Sequence, residues 1–360
     1  MLGAFLDKEL RAKLAAERAR LRFINGFNLL IRDPQRSVGR TPFEIVYSKD
    51  KLSVRRYIDQ KTRPRFRTPV LLVPPLMVKP FIFDLYPARS LVQHLLRAGF
   101  AVYLVDFGEP DRADATVTLD HYVVDWIPAA CAAVKAHAEI DELSLLGYCM
   151  GGLFVLSHTA ANKDRSVRNI VTIASPVDTQ KMGLFAWMAK HGGRQAVYMT
   201  RRLGRMPGVI SSAAFRLLTP IKNITRYADL LINMWDDEYV SGFEAMNQWM
   251  SQFIDYPQEA FVQFLRDFMR HNKLVRGKMS FRGQVADLGD VRASLLAVAG
   301  TKDQIAPRAA VAGAIEAIGS EDKEMIVAPG GHLGVFAGVK APEHVWEPTA
   351  RWLAARSTLR

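Results

Sequence analysis

Short apolar runs punctuate the chain at 70–73, 101–105, 143–146, 170–174, 295–299 and 325–327. They do not alternate apolar with polar positions. Such continuous runs are what parallel strands carry when helices cover both faces of their sheet. Helically spaced stretches at 90–98, 119–138 and 152–161 separate the first four. That alternation predicts an α/β fold with a doubly wound, mostly parallel central sheet and helices on both faces. Ahead of it, residues 44–57 read EIVYSKDKLSVRRY, which predicts a hairpin turning at Lys49–Asp50. Earlier still, Leu6, Leu10, Leu14, Leu21 and Phe27 or Leu29 form one apolar stripe along a charged segment. Residues 6–31 are therefore expected to form an amphipathic helix that packs on the domain or docks a partner.

The rhythm breaks between Pro176 and Asp290, where no parallel strand is legible. This stretch is helical in pattern and rich in Trp187, Met188, Phe215, Trp235, Trp249, Phe253, Phe261, Phe264 and Phe268. It predicts a helical cap, 177–289, inserted into a core made of 41–176 and 290–360, with a helical segment 1–40 in front. The aromatics are expected in the core of the cap, or along a substrate tunnel or dimer face.

A chain of 360 residues, 49% hydrophobic and 23% charged, can bury a sizeable core. No run reaches the ~20 apolar residues of a membrane span. The first residues, charged from Asp7 onward, do not read as a secretory signal. Two cysteines make no disulfide framework, so a reducing, cytoplasmic setting is expected. The net charge of +12 is spread along the chain without zinc-ligand spacing or an RNA-binding aromatic motif. It predicts a solvated basic surface or attraction of an anionic substrate, not nucleic-acid binding.

The chemistry is concentrated in LSLLGYCMGGLFVLSHTAA, residues 143–161. An apolar strand runs into Gly147-Tyr148-Cys149-Met150-Gly151-Gly152, and an apolar helix follows. This is the nucleophile elbow G-x-S-x-G with Cys in place of Ser, the signature of an α/β-hydrolase fold. The glycines let strand and helix approach closely around a strained nucleophile. At a helix N-terminus, Cys149 gains stabilisation of its thiolate. Cys131, in an Ala-rich helix, lacks this setting and is expected to be structural. The fold's order is nucleophile, acid, His. Asp303, in AGTKDQIAP, and His332, in APGGHLG, each follow a strand and are the expected acid and base. Two backbone N–H groups should form the oxyanion hole, from Met150 after the nucleophile and from Met77 in the loop VPPLMVKPF. No metal site is expected.

With their flanks these residues resemble the polyhydroxyalkanoate synthases, closest to the short, two-component (class III) type, from about Pro69 to Leu353. The similar pieces include PVLLVPPLMVKPFIFDLYPARSLVQHLLRAGFAVYLVDFGEPD, TLDHYV, LLGYCMGG, NIVTIASPVD, HNKLVRGKMSFRGQVADL, AGTKDQIAP and PGGHLGVFAG. The resemblance implies an acyltransferase that polymerises (R)-3-hydroxyacyl-CoA, with 3-hydroxybutyryl-CoA as the expected monomer, through a Cys149 thioester. It implies no cofactor, a small helical partner subunit, a homodimer, and attachment to polyester granules in the cytoplasm. Arg194, Arg201, Arg202 and Arg205 are candidates for the coenzyme A phosphates. Val78, Phe107 and Gln304 depart from the family's usual Asn, Trp and His at those places. The competing reading is a Cys-dependent hydrolase, a thioesterase or a relative of the dienelactone hydrolases, and after it a non-catalytic granule-binding scaffold.

Overall fold

The computed structural model describes residues 2–31, 38–217 and 220–359, with side-chain surroundings given for 10–29, 38–216 and 227–359. Residues 32–37 of the expected N-terminal segment and the side chain of Leu6 lie outside this description. The eight strands of the central sheet are β1 (Phe43–Lys49), β2 (Leu52–Tyr57), β3 (Val70–Val73), β4 (Val102–Asp106), β5 (Leu143–Tyr148), β6 (Val167–Ile173), β7 (Ser294–Gly300) and β8 (Lys323–Ala328). Their spatial order is β1-β2-β4-β3-β5-β6-β7-β8. The β1–β2 hairpin pairs antiparallel with β4, and every pair from β4 to β8 is parallel.

The apolar runs of the sequence become these parallel strands because both of their faces are covered. Every residue of β3 and β5 is buried. One core lies on the α4 side (Met150–Ala161), together with α3 (Ile127–Ala138). The other holds α2 (Leu91–Ala98), α11 (His332–Ala337) and α12 (Glu347–Ala354). α4 is buried along its whole length, which is why its sequence is apolar on all sides instead of one.

Parallel pairing sets the position of the chemistry. Val73 of β3 lies opposite Gly147 of β5, Tyr148 opposite Ile173, and Gly300 of β7 opposite Ala328 of β8. The loops after these strands therefore emerge at one edge. The carboxyl edge of an open α/β sheet is where its ligand crevice forms.

Between β6 and β7 the chain leaves the sheet. It runs through α5 (Leu184–Leu203), α6 (Gly208–Leu217), α7 (Pro220–Asn233), α8 (Asp237–Ser251) and α9 (Gln258–Gln263), then a π-helical stretch, Phe264–Arg270. This insertion is not wholly helical. Arg205–Met206 pairs with Tyr256–Pro257, and Met279–Phe281 pairs with Gln284–Ala286. Sequence pattern does not reveal strands of two or three residues. Trp249 and Phe268 are buried, whereas Trp187 is 58% exposed. On α5, Leu184, Trp187, Met188, Tyr198, Met199 and Leu203 are also exposed, an apolar stripe without cover in the single chain.

The N-terminal helix α1 (Leu2–Ile31) reaches the link between α7 and α8. Asn25 Nδ2 donates to Met234 O at 2.9 Å, and the Arg18 guanidinium lies 4.5 Å from the centre of the Trp235 ring. Leu10, Leu14, Phe23 and Phe27 of α1 remain exposed.

Candidate active site

The elbow is built from close approach. Cys149 has φ +51° and ψ −117°, a conformation that costs a non-glycine residue ~1–3 kcal/mol. It is fixed by the bonds Cys149 N to Ile173 O, 2.8 Å, and Gly152 N to Cys149 O, 3.1 Å. A Cβ on Gly147 would lie 2.4 Å from backbone atoms of Gly151 and Gly152. One on Gly151 would lie 2.0 Å from Val73 O, and one on Gly152 2.0 Å from Ser175 Oγ. Each glycine thus lets α4 start directly against β3, β5 and the loop after β6. Gly151→Ala is expected to lose about 3 kcal/mol or more in urea unfolding, because the clash is with a strand-end carbonyl that cannot move aside. Gly152→Ala clashes first with a side chain, so adding Ser175→Gly should recover part of its loss. Equal rescue of both variants would refute this account.

Asp303 follows β7 and His332 opens α11 just after β8. His332 Nδ1 lies 2.9 Å from Asp303 Oδ2, and both side chains are almost fully buried. The other carboxylate oxygen, Oδ1, accepts from Ile305 N (2.9 Å) and Ala306 N (2.8 Å), which fixes its orientation. The imidazole is bonded to Asp303 and feels the charge of Cys149 as well. Burial disfavours its charge, but Cys149 and the Asp303 carboxylate outweigh that and hold the His332 pKa up at about 10. Burial likewise pushes the Asp303 carboxyl up, and His332 with the two N–H donors more than offsets it, leaving a value below the ordinary one. Tyr148 backs the imidazole. Its hydroxyl donates to His332 O at 3.2 Å and its ring stacks on Phe336 at 4.1 Å.

The loop after β3 turns at Met77, whose φ is +71°. Neither Met77 N nor Met150 N donates to an acceptor among the described residues. Both stand at the same edge of the sheet as Cys149, Met150 as the next residue and Met77 on the loop that Gly151 abuts.

A cavity of about 1100 Å³ opens onto His332 and Asp303. Leu85, Phe215, Met246, Met250, Ile305 and Leu333 give it apolar walls. Its lining cations are Arg89 and Lys302, and Arg89 also pairs with Glu238 at 3.2 Å. The arginines expected at coenzyme A lie elsewhere. Arg194, Arg201 and Arg202 are exposed on α5, and Arg205 pairs with Asp255 at 2.8 Å. The polyanionic character of coenzyme A nominates them, but the cavity beside His332 and Asp303 is walled by α8 and the strand-end loops. Gln304 lines the cavity, while Phe107 packs in the core against Tyr122.

The second thiol sits in a different environment. Cys131 Sγ lies 3.8 Å from His158 Nε2, which is 3.1 Å from Asp164 Oδ2. Among the described residues this is the one Cys/His/Asp/Glu group whose possible ligand atoms converge. Cys131 is 1% exposed, and burial raises its thiol pKa far above the ordinary range. A buried neutral thiol is a poor nucleophile.

An elbow at the end of the fifth strand, with acid and His after the seventh and eighth, defines an α/β hydrolase, and the α/β-hydrolase fold family model matches residues 82–339. Solved structures agree at the level of fold: a monoacylglycerol lipase from Paleococcus ferrophilus (TM-score 0.55, 16% identity, 86% of this chain and 100% of that one) and an esterase from Thermogutta terrifontis (0.55, 15%, 88% and 100%). Within that fold the chain belongs to the poly(3-hydroxyalkanoate) polymerase subunits. The model described as the poly-beta-hydroxybutyrate polymerase (PhaC) N-terminus matches residues 33–95. The polymerase subunit PhaC of Allochromatium vinosum is 32% identical over 92% of this chain and 93% of its own length. That of Haloferax mediterranei is 34% identical over 89% of this chain, which spans 65% of that longer relative. No described helix is long and apolar enough to cross a membrane.

Proposed function

We propose that this chain polymerises (R)-3-hydroxyacyl groups from their coenzyme A thioesters, 3-hydroxybutyryl-CoA foremost, through a thioester on Cys149. The observation that carries this reading is a cysteine at the elbow of a polymerase-family chain, beside a His332–Asp303 pair and an apolar cavity. A Cys nucleophile conserves the energy of the incoming thioester. Transfer from coenzyme A to Cys149 is nearly isoenergetic, and the later transfer to a hydroxyl runs downhill to an oxygen ester. The Cys149 thiolate attacks the carbonyl carbon, and the Met77 and Met150 N–H groups stabilise the oxyanion. The carbon–sulfur bond to coenzyme A breaks, and His332 returns a proton to the departing thiolate. In elongation His332 takes the proton of the attacking 3-hydroxyl, the new ester forms and Cys149 leaves as thiolate. Asp303 orients His332 or assists it in activating that hydroxyl. No cofactor enters the scheme. Residues 177–289 act as a cap over a core of 41–176 and 290–360, and 1–40 form an N-terminal helical segment.

The test is coenzyme A release from (R)-3-hydroxybutyryl-CoA with analysis of the product. Polymer supports the reading. Free 3-hydroxybutyrate would make the protein a Cys-dependent hydrolase, and no release would make it a scaffold.

The exposed apolar residues of α1 and α5 favour a small helical partner subunit, a homodimer and the polyester granule surface in the cytoplasm as companions of this chain. The chain alone is expected to show a long lag and low activity in coenzyme A release. Adding the partner should shorten the lag, and deleting residues 1–31 should weaken that effect. A full rate without lag from the isolated chain would overturn the two-component assignment and leave the Cys149 site untouched.

A further inference from the structure

One short piece of the insertion touches the backbone neighbourhood of both proposed oxyanion donors. At the end of α8, the Trp249 indole is 2% exposed, and its Nε1–H donates to Lys79 O at 2.9 Å. Five residues on, Ile254 N donates to Met77 O at 2.8 Å. The wholly buried Tyr256 then donates its hydroxyl to Met150 Sδ at 3.4 Å. Two bonds thus hold the 77–79 loop, whose Met77 turns through φ +71°, and a third reaches the residue after the nucleophile.

The same segment is anchored on its far side. Asp255 accepts from Gly208 N at 2.9 Å and pairs with Arg205 at 2.8 Å. A Cβ on Gly208 would lie 2.3 Å from Phe253 O, so the turn between α5 and α6 presses directly on it. α8 itself lines the cavity with Met246, Asn247 and Met250. The cavity wall, the cap and the proposed oxyanion loop therefore meet on one short piece of chain.

We propose that the segment Trp249–Tyr256 sets the oxyanion hole, with Trp249 and Tyr256 as positioning residues, so that acyl transfer requires the cap to be seated on the 77–79 loop. The proposal rests on Cys149 being the nucleophile. Met77 has φ in the left-handed region, which a non-glycine residue holds only when its surroundings over-determine it. Removing the Trp249 bond deletes one of the two bonds by which this segment holds the 77–79 loop and lets the loop relax. A donor displaced by about 1 Å loses most of its worth to the transition state.

The experiment compares two reactions of the same thiol in the full chain. Acylation by (R)-3-hydroxybutyryl-CoA under single-turnover conditions needs the oxyanion hole. Alkylation of Cys149 by iodoacetamide, a direct displacement, does not. Trp249→Phe keeps a buried ring and removes the N–H. Its acylation rate is expected to fall about tenfold or more, with KM and the alkylation rate each within about twofold of wild type. Tyr256→Phe, which loses a single oxygen, should move the same way by a smaller factor and carries the test if Trp249→Phe does not fold. An unchanged acylation rate in the folded variants, or a parallel fall in alkylation, would overturn the proposal, the latter by showing general damage to the site. If wild type alkylated at Cys149 still turned over, the nucleophile assignment would fall first and the proposal with it.

Discussion

Cys149→Ala is expected to bring coenzyme A release from (R)-3-hydroxybutyryl-CoA to background, a loss of about 10⁴-fold or more, while thermal unfolding stays close to wild type. The reason for the first part is that the chain's one other thiol cannot take its place. The other cysteine, Cys131, is sealed in the core with its thiol pKa driven up by burial. The reason for the second is that alanine meets the same steric cost at φ +51° as cysteine does, and the bonds that fix this residue are backbone bonds to Ile173 and from Gly152. Cys131→Ala should behave in the opposite sense. It keeps most activity and loses ~1 kcal/mol of stability, since a buried sulfur is replaced by a small gap. The measurement is a spectrophotometric assay of free thiol together with a melting curve for each variant. Polymer made by Cys149→Ala at an appreciable rate would sink the assignment, and an inactive but folded Cys131→Ala would move the nucleophile to the other thiol.

His332→Gln is expected to lose about 10²–10⁴-fold in rate, in acylation as well as in elongation. Both steps move a proton at the imidazole, and glutamine can fill the space without taking one. Asp303→Asn should retain slow acylation, because His332 remains beside Cys149 to take its proton. Its deficit should be larger in elongation, where a poorly acidic hydroxyl must be deprotonated. An Asp303→Asn variant as fast as wild type in polymer formation would rule out that carboxylate.

The same imidazole gives a pH dependence whose sign follows from its raised pKa. A His whose value is about 10 in the folded chain, against 6.5 as its unperturbed value, binds its proton more tightly when folded. Its stabilising contribution is complete below about pH 6.5 and drains away as pH rises through 10. The difference in melting temperature between wild type and His332→Gln should therefore be largest near pH 6 and shrink toward pH 10. A difference that grew over that interval would contradict an imidazolium stabilised by Asp303 and Cys149.

Much of the scaffold was legible along the chain because its causes are local. A strand covered on both faces must be apolar throughout, so 70–73, 143–146 and 295–299 announced themselves, and the observed strands match them within a residue or two. An elbow needs residues without side chains beside its nucleophile, so Gly147, Gly151 and Gly152 are conspicuous in the sequence itself. The wholly buried α4 was visible for the same reason, as a helix with no polar face. The insertion could be delimited by what it lacked, but its two-residue pairing of 205–206 with 256–257 could not be seen, since two residues carry no periodicity.

The chain by itself determined the strand pattern, the elbow and the order in which Cys149, Asp303 and His332 occur. Those follow from steric and solvation demands felt within a few residues. Only the tertiary structure decided that Asp303 and His332 meet at 2.9 Å, that Cys131 is sealed away, and that Arg89 and Lys302, not the arginines of α5, face the cavity. It also decided that Trp249 bonds a carbonyl 170 positions away and that Tyr256 reaches the residue after the nucleophile. These contacts depend on how a long insertion packs back over the sheet edge. Packing of that kind is the sum of many weak contacts between distant segments, and no single stretch of the chain records it.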